Sequence, residues 1–456
     1  MTDTLITRLR AELDGAVVAP SDPEYDAART VFAGGIDRRP AVVVRPADAT
    51  GVARVIAAAR DSGLPLAVRS GGHSGAAHSV CDDGIVLDLS RMKALDIDVE
   101  SRTAWAQTGL TAGEYTAAAG RHGLVTGFGD TGSVGIGGIT LGGGVGFLAR
   151  RYGLTIDDLL AAELVTADGQ QLLVDEENHP DLFWAIRGGG GNFGVATRFR
   201  FRLHELPTVV GGLLMLPASA EVLTAFLAEA EAAPDALTTI ANVMPAPPMP
   251  FVPEEAHGSL VLMALVCYAG PAEAGERALA PFRALAPPVV DMVRPISYPE
   301  MYFPNDPDYH PTAVARTLYT DAVDDALAAS VIEQLEASDA PVRAAQLRTL
   351  GGAVARVAPN ATAYAHRRSR IMTNVAAFYS TAEEKAAREA WVGDLSARLQ
   401  QSDSGAYVNF LGDDGAQRIG DAYPGETWSR LVEVKRRYDP SNLFRLNHNI
   451  APTGES

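Results

Sequence analysis

Residues 69–78 read RSGGHSGAAH and follow the apolar run LPLAV. An arginine, two serines and two adjacent glycines around His73 are consistent with three readings: backbone amides that hold a phosphate, a serine nucleophile, or a plain turn. The nucleophile needs a G-x-S-x-G elbow whose serine opens directly into a helix. GHSGA, at 72–76, lacks the last glycine, and SVCDDG leads by a turn into a strand instead. Two more glycine-rich loops follow. TGFGDTGSVGIGGITLGGGVGFLARRYG (126–153) holds about a dozen glycines, and GGGGNFG spans 188–194. The latter contains G-x-G-x-x-G at Gly189, Gly191 and Gly194, and GVGFLA (144–149) is a looser match. A dinucleotide fingerprint needs a strand before it and a helix after it. Here a helix precedes and a strand follows. No Walker loop occurs, and the nine histidines show no paired metal-ligand spacing. Three glycine-rich loops can together embrace a long cofactor with a pyrophosphate and a flat ring, because glycine lets backbone N–H groups approach closely. Any one of them alone reads better as a tight turn.

The elements that position these loops are mixed α and β. TGVARVIAAARDSG (50–63) reads as a helix capped by Thr50 and ended by Gly63, with Val52, Val55, Ile56 and Ala59 on one face. LPLAV, GIVLDLS and TAWAQTG read as strands, and TAGEYTAAAGRHG as a helix with a capping box at Thr111 and Glu114. Glycine costs a helix about 1 kcal/mol per residue relative to alanine, so 126–153 is expected to be non-helical. Its Val134, Ile136, Ile139, Leu141, Val145 and Phe147 imply buried backbone pressed against something flat or charged. AAELVTADGQQLLV reads as strand with an Asp-Gly turn, PDLFWAIR as a helix, and VATRFRFRL as a half-buried strand. The glycine clusters end near Pro207. Alternating strands and amphipathic helices follow, with a proline-rich loop, MPAPPMPFVPEE. Motif density returns from Tyr407 onward, in YVNFLGDDG and PSNLFRLNHNIAP. This pattern implies three stretches: 1–206, a second domain at 207–411, and 412–456 returning to the first.

The 456 residues carry a net charge of −18. That field disfavours nucleic acid and anionic membrane as partners. Only Cys81 and Cys267 occur, which allows one disulfide but no stapled scaffold. The first fifteen residues lack the charged and apolar regions of a signal peptide, and no apolar run approaches a membrane span. A cytoplasmic protein is the expectation. Oligomeric state is not legible.

RSGGHS, GGGVGFLARRYGLTIDDL, DLFWAIRGGGGNFGV and YDPSNLFRLNHNI, in that order, resemble the FAD-linked oxidases of the vanillyl-alcohol oxidase (PCMH-type) fold, in particular their berberine-bridge-enzyme-like branch and its nicotine-oxidising members. The resemblance implies an α+β fold of two domains: a discontinuous FAD domain and a substrate domain whose antiparallel sheet roofs the flavin ring. It implies FAD bonded covalently through His73. Arg69, Ser70, Gly71, Gly72 and Ser74 would contact the pyrophosphate. Many relatives add a cysteinyl link. Thr131 stands at that position, so one covalent bond is expected. Thr131, Gly132, Ser133, Gly137, Gly138, Gly142, Gly146, Gly153, Asp157 and Val195 are the further implied cofactor neighbours, with Asn447 and Asn449 near the ring. Val134 falls where the family tends to place valine in oxidases and leucine in dehydrogenases; the smaller side chain would leave room for oxygen.

The implied reaction removes a hydride from a C–H beside a hydroxyl or amine of a small organic substrate, and molecular oxygen then restores the flavin and leaves hydrogen peroxide. Tyr407, in a Tyr-x-Asn element, is the candidate base; a core tyrosine is the competing reading. Tyr302, His310 and His366 are weaker candidates. A dehydrogenase with another acceptor and a non-catalytic flavin carrier remain the alternatives, and alcohol, amine and sugar substrates all stay open.

Overall fold

A computed structural model describes residues 2–13, 15–412 and 414–454. The N-terminal half builds two sheets. The first orders its strands Ala16–Val18, Val42–Arg45, Ile85–Asp88 and Leu66–Arg69. Its last three strands are parallel, each buried on both faces, which is why they read as unbroken apolar runs. The helix Ala49–Ser62 covers this sheet through Val52, Val55 and Ile56. Its cap is Asp48, whose carboxylate accepts the Gly51 N–H at 2.7 Å, rather than the expected Thr50. Gly63, at φ 70°, ends the helix as expected. The second sheet is antiparallel, in the order Leu95–Asp98, Thr103–Gln107, Val195–Arg202, Leu159–Val165 and Gln171–Val174. The expected Asp-Gly turn joins the last two, and the expected Thr111–Glu114 capping box opens Ala112–Gly120.

The middle of the chain forms one large antiparallel sheet: Val290–Asp291, Val209–Pro217, Leu260–Tyr268, Leu237–Pro245, Arg343–Thr349, Ile371–Phe378 and Ala313–Thr320. Helices Ala220–Ala232, Ala272–Arg283, Asp325–Ala337 and Ala382–Leu399 bury their apolar stripes on one face of it. The other face stays free to roof a site. The chain then returns. Leu411, Ile419, Leu431 and Ile450 share one core with Phe128, Phe183, Phe199 and Phe201. Burial of that shared surface, at roughly 25 cal/mol per Å², makes the first domain discontinuous in sequence and continuous in space. This is the two-domain α+β fold that the resemblance implied.

A second expectation fails. Ile136–Gly142 is a helix despite Gly137, Gly138 and Gly142. A Cβ on Gly137 would lie 2.9 Å from Ser70, and one on Gly142 would lie 2.0 Å from the Asn409 amide. Close packing requires Gly137 and Gly142, and the contacts they permit override their low helix propensity, whereas a Cβ on Gly138 would meet nothing within 4 Å. Both cysteines are buried and unpaired. Among the described residues no helix is long and apolar enough to cross a membrane.

Candidate active site

The free face of the large sheet, the three glycine loops and the C-terminal segment enclose a cavity of about 490 Å³, within the usual range for small-molecule and cofactor sites. The loops meet through bare backbone. A Cβ on Gly71 would fall 2.2 Å from the Gly135 nitrogen, and one on Gly135 equally close to the Gly71 nitrogen. Only two glycines permit that approach. Ser70 locks the contact, donating to the Thr108 carbonyl at 2.5 Å and accepting from the Gly137 N–H at 3.2 Å. The third loop is tied to the tail by Asn192. Its amide donates to the Gly189 and His448 carbonyls and accepts the Ile450 N–H at 2.9 Å. Lys435, fully buried, donates to the Asn192 and Phe444 carbonyls and pairs with Asp439 at 2.8 Å. Burial draws its pKa down, and the Asp439 carboxylate opposes that. Neither Asn192 nor Lys435 stood out in the sequence; the only signal was the density of the YDPSNLF motif that Lys435 precedes.

Of the residues singled out by sequence, Ser70, Gly71, Gly72, His73, Ser74, Thr131, Val134, Gly137, Gly138, Val195, Tyr407 and Asn447 line the cavity. The others are placed elsewhere. Arg69 is buried against Asp88 and donates to the Ala28 and Thr30 carbonyls, so its guanidinium braces the sheet edge. Gly132 packs against Tyr302, Gly142 against Asn409, and Gly146 against the Phe128 carbonyl. Ser133 reaches His73 through its backbone. Gly153, at φ 100°, closes a helical turn above Asp157. Asp157 forms a two-pronged pair with fully buried Arg367, at 2.7 and 2.8 Å. That pair joins the two domains, and neither residue lines the cavity. Asn449 is half-buried, its side-chain carbonyl oxygen is buried without a partner, and it does not line the cavity. Tyr302, His310 and His366 also lie outside it. His310 sits on the surface beside the Phe32 carbonyl, and His366 stacks on Tyr319 and meets the Asp421 carbonyl.

The cavity is nearly free of net charge. Burial pulls His73 to about 4, His78 to about 3 and His448 to about 4, so all three imidazoles are neutral at pH 7. His73 stacks on Phe32 with ring centroids 4.2 Å apart. Asp130, which sequence reading missed, is the one carboxylate in the described wall, and Arg348 of the sheet holds it at 2.5 Å. Tyr407 is buried, and its phenolic oxygen accepts from the Gly144 N–H at 2.9 Å, the Val145 N–H at 3.3 Å and the Asn409 amide at 2.9 Å. Burial raises its pKa, and those donors, with Arg348, oppose the rise without cancelling it. The resting group is therefore a phenol, against the lowered pKa that a base role near neutrality asks for. Its oxygen is preorganised to carry negative charge, and its own proton is directed to no described protein acceptor.

The walls suit a long, flat, diphosphate-bearing group. Glycine backbone lines the first, second and third loops, so no side chain obstructs approach. Asn447 donates to Gly191 and Phe444 while its carbonyl oxygen is buried without a partner, as is the Ser79 hydroxyl. Such orphaned groups are expected where a polar ligand completes them.

Comparison with known proteins agrees. Residues 40–175 match the FAD binding domain family and 406–451 the berberine and berberine-like family. The chain is 32% identical, over the whole of both chains, to (R)-6-hydroxynicotine oxidase of Paenarthrobacter nicotinovorans. It is 28% identical to xylooligosaccharide oxidase of Thermothelomyces thermophilus, over 96% of this chain and 92% of the relative. The crystal structure of 6-hydroxy-D-nicotine oxidase from Arthrobacter nicotinovorans superposes with a TM-score of 0.86 at 29% identity, covering 97% and 98% of the two chains. With its glycine-walled cavity and an end-to-end match to such a relative, the chain belongs to the FAD-linked oxidoreductases of the vanillyl-alcohol oxidase fold, in their berberine-bridge-enzyme-like branch.

Proposed function

We propose that this FAD-dependent enzyme is an oxidase for a small organic substrate bearing a hydroxyl or amine on the reacting carbon, with molecular oxygen as acceptor. FAD, when bound, supplies the two-electron acceptor for the C–H bond and the route by which those electrons reach oxygen as hydrogen peroxide. The observation that carries the reading is Tyr407: a phenol at the cavity wall whose oxygen already accepts three hydrogen bonds. Once ionised, that oxygen is the group left to take the proton of the substrate heteroatom as the neighbouring C–H gives up its hydride, and the three donors stabilise the phenolate that this requires.

Ser70, Gly71, Gly72, Ser74, Gly137 and Gly138 would hold the cofactor along the glycine walls, and Asn447 would complete its buried amide on it. His73 would attach the cofactor covalently. A neutral imidazole keeps a nucleophilic lone pair, and burial keeps this one neutral. A single link is supported by Thr131, a cavity residue without a thiol, and by Cys81 and Cys267, which are buried outside the wall. Val134 supports oxygen access, since a leucine there would fill part of the wall.

A screen of alcohols, amines and sugars that follows peroxide release under air, and flavin bleaching without air, tests the reading. We expect one class to do both. Bleaching without peroxide would make the enzyme a dehydrogenase. Val134→Leu should slow recovery of the yellow colour in air while leaving anaerobic bleaching within about threefold, a change of roughly 0.65 kcal/mol.

A further inference from the structure

The roof of the cavity carries a row of polar side chains directly opposite one another across four strands: Asn242, Gln346, Asn374 and Thr317. The inner end of this row is closed. Gln346 donates to Asn242 at 2.8 Å, Asn242 donates to the Met263 carbonyl, and Arg348 donates to Gln346 at 2.8 Å. The outer end is open. Asn374 lines the cavity, yet its buried carbonyl oxygen has no partner, and neither has the hydroxyl oxygen of Thr317 beside it. The next cross-strand row is Ala344, Ala376 and Ala315, small residues that leave space against the open end.

We propose that Asn374 is the docking point for a second, non-reacting hydroxyl, and that the substrate is a neutral molecule carrying at least two hydroxyl groups. This rests on the oxidase reading above and narrows its substrate class. A primary amide presents both an acceptor and donors, and a hydroxyl is the small group that answers either, since it donates and accepts. An ammonium group satisfies only the acceptor and needs a free carboxylate nearby. Asp130, the one carboxylate in the described wall, is already held by Arg348 and Thr131. A carboxylate substrate would answer only the donors and would face Asp130.

The test uses the flavin-loaded protein and isothermal calorimetry with trans-1,2-cyclohexanediol, cyclohexanol and N-methylpyrrolidinium chloride, on wild type, Asn374→Leu and Asn374→Gln. We expect the diol to bind wild type about tenfold more tightly than cyclohexanol, the worth of one good hydrogen bond, and Asn374→Leu to abolish that ratio while keeping its flavin. Asn374→Gln should restore part of it. Equal binding of diol and mono-alcohol by wild type, no measurable diol binding, an unchanged ratio in Asn374→Leu, or tighter binding of the pyrrolidinium would each overturn the proposal. The wild-type comparison needs no variant to fold. If the diol discriminates as expected but no hydroxylated compound releases peroxide, the oxidase reading fails while the hydroxyl site stands.

Discussion

Tyr407 lies under two opposing pressures. Burial disfavours its phenolate, while two backbone N–H groups and the Asn409 amide favour it, and burial wins. Because the folded pKa lies above 10, the phenol is protonated at pH 7. A step that needs the phenolate must therefore accelerate as pH rises towards that value. We expect the anaerobic bleaching rate to climb on the alkaline side in wild type, and Tyr407→Phe to flatten the climb and slow bleaching by roughly 10²-fold or more, the usual worth of a positioned proton acceptor. A phenylalanine variant that bleaches at the wild-type rate removes Tyr407 from the chemistry. His73 makes a separate statement. Acid-precipitated wild type should stay yellow, and His73→Ala should release its flavin to the supernatant; colour lost from the wild type contradicts the covalent link. Both residues were legible in the sequence by type and neighbours. Asn374, Asp130 and Arg348 were not, because a lone asparagine or arginine on a strand, or a lone aspartate in a loop, carries no sign of what lies opposite.

At the scale of elements, the helix Ile136–Gly142 shows packing overruling propensity. Each of its glycines weakens a free helix, yet Gly137 and Gly142 let Ser70 and Asn409 approach. Gly142→Ala improves propensity and still should destabilise. The added methyl lies 2.0 Å from the Asn409 oxygen, and overpacking of this kind costs about 1–3 kcal/mol. It also disturbs one of the three donors to Tyr407. We expect a lower melting temperature together with a slowed bleaching step, read by calorimetry and stopped-flow absorbance. A variant as stable and as fast as wild type would show that Asn409 moves freely. The sequence marks this region as glycine-rich and threaded with apolar residues, and from that a helix is the last expectation. The deciding contacts come from residues 70 and 409, far away along the chain.

At the scale of the molecule, two arginines of the substrate domain reach acids of the FAD domain: Arg367 to Asp157 and Arg348 to Asp130. Removing one partner of the buried Asp157–Arg367 pair leaves an uncompensated charge, so Asp157→Asn should cost about 3–5 kcal/mol. A melting temperature equal to wild type would show that the pair is relaxed in solution. The cavity's imidazoles add a pH dependence. His73, His78 and His448 have folded pKa values of about 4, 3 and 4, against about 6.5 when unfolded. As pH falls below 6.5 the unfolded chain takes up protons first, so stability drops between pH 6.5 and 4. Flavin-free protein should melt earlier at pH 5 than at pH 7, and His78→Gln should shrink the difference. An unchanged difference in that variant would show that His78 already titrates normally in the folded state.

What the sequence by itself determined is the inventory: apolar runs long enough for buried parallel strands, turn and cap residues at the right offsets, and three loops of glycine whose absent side chains announce close backbone approach. Those signals are local, because periodicity and capping act within a turn or two of chain. Only the tertiary structure decided which loops meet, that Arg69 braces the sheet edge instead of the cavity, that Asp157 answers Arg367, and that Tyr407 sits under three donors from residues 144, 145 and 409. A hydrogen bond depends on distance in space, and the pairings that make this cavity join residues up to 263 positions apart.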